Sequence, residues 1–390
     1  MKQKSSFSRR SFFRLLSAGG AGSVLMASMP KSVMAADENE KPATNIDKAL
    51  QHPRNKHSMP GKYPARVVKV VHPNSVVDNQ PVESEAYRMI ADGMLRLTGE
   101  KKLKKAWRKF VKPGEKIGLK VNPVAGKLLT TSHAVVKAVV KQLEESGISR
   151  SDLVIWDRRE MQLQETGFTE ENYPGITIRG TEQQDKDGGF FDKDGILYGE
   201  KNIDKNWFYW ADVDGEYDEY TMPYMVNGGK ESYFTRIITQ EVDKIINIPI
   251  LKNAGTTVTC CMKNLAYGSI SNTGRLHKQL WAETTAQVCA FPPLRDKVVL
   301  NIVDGLKGCF DGGPAANPQF ITNYKTILLG SDPVAVDRIA YDVVLKKRMD
   351  EGVQKKESPN GTKFMELASG YGLGEANPSK ITLENIEIKA

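Results

Sequence analysis

From Arg66 onward the chain alternates short β-branched runs with stretches of helical period. "RVVKVVH" (66–72) precedes a helical pattern over 83–97, "KIGLKVN" (116–122) precedes one over 132–146 that stops at Gly147, and "DLVIWD" (152–157) is a third apolar run. Val and Ile are stiff at χ1 and pack well on a pleated surface, whereas apolar residues three and four apart form one stripe on a helix. The series resumes with "VDKIINIPIL" (242–251), "KVVLNIVDGL" (297–306) and "TILLGSD" (326–332), and a strong helical pattern follows over 333–348. Strand and helix in alternation predict an α/β fold of mostly parallel sheet, with helices on both faces.

Two stretches break the alternation. Residues 36–64 are charged, proline-bearing and aperiodic, as a linker is, so the folded part is expected to begin near Tyr63. Residues 181–235 are rich in Asp, Gly, Tyr and Trp, and predict a β-rich insertion or lid between a first α/β half, 65–180, and a second, 236–390. The insertion holds three D-x-D-G tetrads, at 185–188, 192–195 and 212–215. Asp-Gly between strand-like segments signals a hairpin turn; the same carboxylates suit calcium, although none leads into the distal Glu of an EF-hand loop.

The N-terminus alters the charge balance. "SFSRRSFFRLLSAGGAGSVLMASMPKSVMAA" has a twin arginine, Arg9-Arg10, ahead of a weakly apolar stretch, and reads as a twin-arginine export signal ending near Ala35. Its apolar part is too short for a bilayer span. The expected partner is the twin-arginine export machinery, and the expected location the periplasm. Residues 1–35 carry six Lys/Arg and no acid, so 49 basic residues face 47 acidic ones in the remainder. A near-neutral mature chain gives no charge basis for binding nucleic acid, and "GEKKLKKAWRKFVKPGEK" (99–116) reads as a solvated helix face.

In open α/β sheets ligands bind beyond the carboxyl ends of the strands. Those ends are polar here: Lys120 and Asn122, Asp157 with Arg158 and Arg159, Lys252 with Asn253, Asp304, and Asp332. Each has an ordinary reading as a cap, most of all Asp332 before Pro333. Together they suit a small anionic or carbohydrate ligand, or proton transfer beside a carbonyl. The longest rim segment is "LKNAGTTVTCCMKNLAYGSISNTGRLH" (251–277). It is expected to pass from a Thr-rich loop, with Thr256 or Thr257 as cap, into a helix that carries Lys263 and Asn264 two turns in. Arg275 and His277 follow as candidate ligand contacts. Lys252 and Lys263 are the candidate clamp or base, with Asp304 and Asp157 as acid/base partners.

Four cysteines, Cys260, Cys261, Cys289 and Cys309, make no CxxC and no clustered iron–sulfur run; no metal ligand set and no particular cofactor is legible. No H-E-x-x-H, G-x-S-x-G or P-loop motif occurs, and the G-x-G-x-G at Gly370, Gly372 and Gly374 reads as a turn.

The segments "INIPILKNAGTTVTCCMKNLAYGSISNTGRLH", "FPPLRDKVVLNIVDGLKGCFDGGP" and "TILLGSDPVAVDRIAYDVVLKKR", behind a twin-arginine leader, resemble the DUF362 family in its exported branch. The resemblance spans about 66–180 and 237–350. It implies no particular reaction, since that family is defined by sequence. Members with a C-terminal ferredoxin-like cysteine cluster are labelled iron–sulfur proteins; this chain has no cysteine after Cys309, so the label does not carry over. Many relatives place a histidine just after the lysine corresponding to Lys252, where this chain has Asn253-Ala254, and Lys252, Lys263 and Asn264 remain as matched polar positions. The leading expectation is an exported enzyme for a small or sugar-derived anion, of proton-transfer, lyase or isomerase type. The rivals are a metal- or cofactor-carrying protein, and a polysaccharide binder built on Trp207, Tyr209, Trp210, Tyr217 and Tyr220.

Overall fold

The β-branched runs become strands of one mixed sheet. A computed structural model describes residues 41–214, 229–255, 257–353 and 360–389; the expected export signal, Thr256, Tyr217 and Tyr220 lie outside them. The strands are β1 (Arg66–Val71), β2 (Ile117–Lys120), β3 (Leu153–Arg159), β4 (Thr177–Glu182), β5 (Lys244–Asn247), β6 (Ile250–Ala254), β7 (Thr257–Thr259), β8 (Val298–Cys309), β9 (Thr326–Gly330) and β10 (Thr382–Glu387). Their order across the sheet is β10-β1-β9-β8-β5-β2-β3-β4, with β6 beside β8 and β7 beside β6.

β8, β5, β2, β3 and β4 pair parallel throughout. β9 runs against both its neighbours, β8 and β1, and β7 runs against β6. From β2 the chain steps outward through β3 to β4, then returns to lay β5 on the other side of β2. The order therefore reverses between β2 and β5, and such a switch point opens a crevice at the carboxyl ends of the strands.

Alternate residues of each strand supply two hydrophobic cores. Leu153 and Ile155 join α1 (Glu83–Thr98) and α2 (His133–Glu145) on one face. Val154 and Trp156 join α3 (Cys261–Ser269), α4 (Trp281–Ala290) and α5 (Pro333–Asp350) on the other. Full burial of each such aliphatic side chain contributes roughly 1.5–3 kcal/mol against chain entropy. Helix ends follow local chemistry: Ser132 Oγ accepts the Val135 N–H at the start of α2, and Gly99 takes φ 71° where α1 ends. Among the described residues, no helix is long and apolar enough to cross a membrane.

The stretch read as a linker folds onto the body. Residues Ile46–Gln51 form a helix, and Ala49 and Met59 are fully buried. The buried guanidinium of Arg295 donates to the carbonyls of Ala49, His52 and Pro53, a long-range anchor that local periodicity does not register. In the insertion, Ile203–Trp210 and Glu231–Thr235 pair antiparallel. Asp185 Oδ1 accepts the N–H groups of Asp187 and Gly189, and Asp192 Oδ1 those of Asp194 and Ile196; these carboxylates close their own turns. Tyr209 is buried with its hydroxyl donating to Gln287, while Trp207 and Trp210 are half-buried, Trp207 packing against the core.

Candidate functional site

The crevice at the switch point is a pocket of about 110 Å³. β2 and β3 supply Asn122 and Asp157, the antiparallel pair β6–β7 supplies Lys252 and Thr259, and α3 closes one wall with Lys263 and Asn264. Lys252 and Thr259 lie opposite each other in register, so one hairpin aims an amine and a hydroxyl at the same space. For scale, a protein cavity of about 150 Å³ holds benzene, so this pocket encloses a ligand of only a few heavy atoms.

The three lysines differ in their partners. Lys120, fully buried, donates to the Asp157 carboxylate, to Asn264 Oδ1 at 3.0 Å and to the Val121 carbonyl at 2.7 Å. Burial lowers its pKa and Asp157 opposes the shift. Lys252, also fully buried, has one hydrogen-bond acceptor among the described residues, Asn122 Oδ1 at 3.0 Å. Burial, reinforced by the Lys263 charge, pushes it down to about 7. Lys263 is half-buried, its nitrogen 5.7 Å from the Tyr267 ring centre, and burial pushes it down to about 8.

Behind the lysines lies a row of amides that sequence reasoning missed in part. Lys252 donates to Asn122, Asn122 to Asn264 at 2.9 Å, Asn264 to Asn247 at 2.8 Å, and Asn247 to Asn301 at 2.9 Å. Asn301 donates to the Gly330 carbonyl at 3.3 Å, which ends the row. All four asparagines are buried, and each passes a hydrogen bond onward, so every amide has one orientation. Asn247 and Asn301 are paired in the parallel register of β5 and β8. Their signal in the sequence is an amide that interrupts an apolar run, in "IINIPI" and "VVLNIV".

α3 begins later than expected. Thr257–Thr259 is a strand, and Thr257 donates its hydroxyl to the Gly361 carbonyl instead of capping a helix. Asp337 of α5 performs that task, accepting the N–H of Cys261 at 2.6 Å and of Met262 at 2.9 Å. Lys263 consequently sits in the first turn of α3, which brings it to the rim. Cys260, Cys261 and Asp337 place one potential ligand atom each within 4.8 Å of one another. Both Asp337 oxygens already serve the helix cap, and burial pushes the Cys260 thiol up to about 11 and raises the Cys261 thiol well above its ordinary value, so a metal there would have to displace the cap and both thiol protons. Cys289 donates to the Met262 carbonyl, and Cys309 to that of Asp311.

Arg158 and His277 also line the pocket. Arg158 donates to Thr273 Oγ1 and pairs with Glu182 at 3.3 Å, which holds it along the wall. His277 rests its ring on Tyr267, 4.4 Å between centres, and donates its Nδ1–H to the Thr273 carbonyl at 3.0 Å. Partial enclosure of the ring, with Lys263 nearby, holds its pKa below the usual imidazole range. Three polar atoms of lining residues, Thr259 Oγ1, Gln162 Oε1 and the Tyr267 hydroxyl, are buried without a hydrogen-bond partner among the described residues. None was anticipated, and such atoms incur a desolvation cost that a ligand can relieve.

Among the described residues six candidates lie apart from the pocket lining, Lys120 just behind it on Asp157 and Asn264 and five others farther along the fold. Asp304 is in the middle of β8, where its carboxylate accepts the Ser132 N–H at 2.6 Å and that of Leu306 at 3.1 Å, and burial pushes its pKa up to about 6. Asp332 accepts N–H groups from Val334, Ala335, Ala65 and Glu375. It follows β9, the reversed strand, whose carboxyl end faces the opposite rim from those of β2 and β5. Arg275 is buried and donates to the carbonyls of Ala211, Val213 and Lys230 and to Ser232 Oγ. Asn253 bonds Gly255 and Gly313, and Thr257 is tied to Gly361 as described.

The sequence model of a family described as a domain of unknown function, DUF362, matches residues 116–342. That span includes every residue lining the pocket. No curated protein matches the chain. Among solved structures, a crystal structure of a Thermotoga maritima protein is similar at 11% identity and a TM-score of 0.37, over 68% of this chain and 59% of that one.

Proposed function

The chain belongs to the DUF362 family, and from that premise we propose that it is an exported enzyme that binds a small carboxylate-bearing anion at the switch point and moves a proton beside a carbonyl, as lyases and isomerases do. The observation that carries the reading is the charge imbalance in so small a space. Lys252, Lys263 and Arg158 line it and Lys120 stands behind it on Asp157, while Asp157 and, through Arg158, Glu182 are the carboxylates they meet. Lys252 is fully buried with Asn122 as its hydrogen-bond acceptor and Lys263 is half-buried at the rim over the Tyr267 ring, so Lys252 is the reactive amine and Lys263 the clamp. Export and a periplasmic location rest on the Arg9-Arg10 leader.

Calorimetric titration of the mature protein with a panel of short hydroxy and keto acids tests this. Saturable binding is expected for at least one. Loss of the clamp in Lys263→Ala should weaken it tenfold or more, since a charge-assisted hydrogen bond contributes about 1.5–3 kcal/mol. The exposed Lys104→Ala control should bind as wild type does. Equal affinity in Lys263→Ala and wild type would remove the reading.

A metal-carrying protein is the rival with one observation behind it, the proximity of Cys260, Cys261 and Asp337. Metal analysis of protein taken from its native compartment separates the two: stoichiometric metal lost in Asp337→Asn would favour the rival.

A further inference from the structure

We propose that Lys252 condenses with the carbonyl group of its ligand to form an imine inside the pocket, which makes short keto or aldehydo acids the ligand class. The inference rests on the pocket being a small-anion site, and goes beyond it in assigning a covalent step.

The hydrogen-bond inventory distinguishes the lysines. An ammonium has three N–H donors and no lone pair. Lys120 meets three acceptors, so all its hydrogens are engaged and its nitrogen is closed to chemistry. Lys263 lies over the Tyr267 ring, an arrangement that favours the cation. Lys252 has one acceptor, and that acceptor, Asn122 Oδ1, is fixed by the amide row behind it. A neutral amine bound this way keeps its second N–H and its lone pair for the cavity. Burial beside a second cation is the environment in which lysines become nucleophiles, and it brings Lys252 down to about 7.

The surroundings suit the reaction. The Lys252 nitrogen adds to the carbonyl carbon to give a carbinolamine. The C–O bond then breaks, and oxygen leaves as water with the two protons of the original amine. Lys263 relays them, giving one to the departing hydroxyl and recovering one from nitrogen, so no oxidant or reductant is required. Thr259 Oγ1, opposite Lys252 and unpartnered, is placed to hydrogen-bond the intermediate. The pocket volume of about 110 Å³ accommodates a short acid.

The test treats the mature protein with pyruvate or glyoxylate and sodium borohydride, then maps the adduct by peptide mass spectrometry. One reduced adduct on Lys252 is expected, at least tenfold above any other lysine and absent from Lys252→Arg. Should Lys252→Arg fail to fold by circular dichroism, the wild-type peptide map still decides the site. The same acids are titrated calorimetrically beside lactate, which has no carbonyl to condense. Binding without an adduct overturns the imine and leaves the small-anion reading standing. An adduct on Lys263, or spread over surface lysines, overturns the assignment to Lys252. No binding of any acid removes both readings together.

Discussion

Lys120 and Lys252 are both fully buried, yet below about pH 7 substitution of the two should act in opposite directions. Lys120 neutralises Asp157, so Lys120→Met strands a buried carboxylate and should cost about 3–5 kcal/mol. Lys252 has no carboxylate partner among the described residues, and its pKa of about 7 lies below the ordinary lysine value of 10.5. Between those values the unfolded chain binds the extra proton, so stability rises with pH; below about 7 the folded protein carries the full cost of a buried ammonium. Lys252→Met removes that cost but leaves Asn122 Oδ1 without its donor, a loss of about 1–3 kcal/mol. Urea denaturation should therefore find the variant more stable than wild type near pH 6 and less stable near pH 10. A constant difference across that range would mean that Lys252 titrates normally.

At the scale of elements, α3 depends on two features outside its own helical pattern. Its first N–H groups are capped from α5 by Asp337, and its residue 268 is glycine because Lys120 lies across the helix there. A Cβ on Gly268 would fall 2.4 Å from Lys120 Cε and 2.7 Å from its nitrogen, the end held by Asp157. Overpacking costs about 1–3 kcal/mol, against about 1 kcal/mol gained from the better helix former. Gly268→Ala should lower the urea midpoint, whereas Gly370→Ala, with nothing within 4 Å of its Cβ, should not. Equal midpoints would show that Lys120 relocates freely. The strands and long helices were legible from their period, and Asp332-Pro333 marked the start of α5. The direction of β9 was not, because an apolar run reads the same parallel or antiparallel, and this turned Asp332 toward the opposite rim. The Asp337 cap is a long-range contact with no local signature. Asn247 and Asn301 were visible as amides inside apolar runs, but only pairing across strands gives them a role.

At the scale of the whole molecule, β2 meets β5 at the switch point while β1 lies between β10 and β9, so the strands before and after the insertion interleave in one sheet, and the insertion reaches back toward the pocket. Arg275 makes that connection. Its guanidinium donates to the carbonyls of Ala211, Val213 and Lys230 and to Ser232 Oγ, which ties both arms of the insertion to the segment that carries Thr273 and His277. Thr273 in turn receives Arg158 at the pocket wall. A buried arginine that serves mainly backbone carbonyls is a latch, and burial alone brings it down to about 10, well above neutral pH, so it stays charged. Arg275→Ala leaves three carbonyls without their side-chain donor. Amide exchange over 203–214 and 229–235 should then quicken by tenfold or more, while β2 and β5 keep their protection. Because the freed segment holds Thr273 and His277, affinity for short acids should fall in the same variant. If exchange quickens and affinity does not change, the insertion is held by Arg275 but plays no part in the pocket; if neither changes, the latch carries no load and the strand pairing alone secures the insertion.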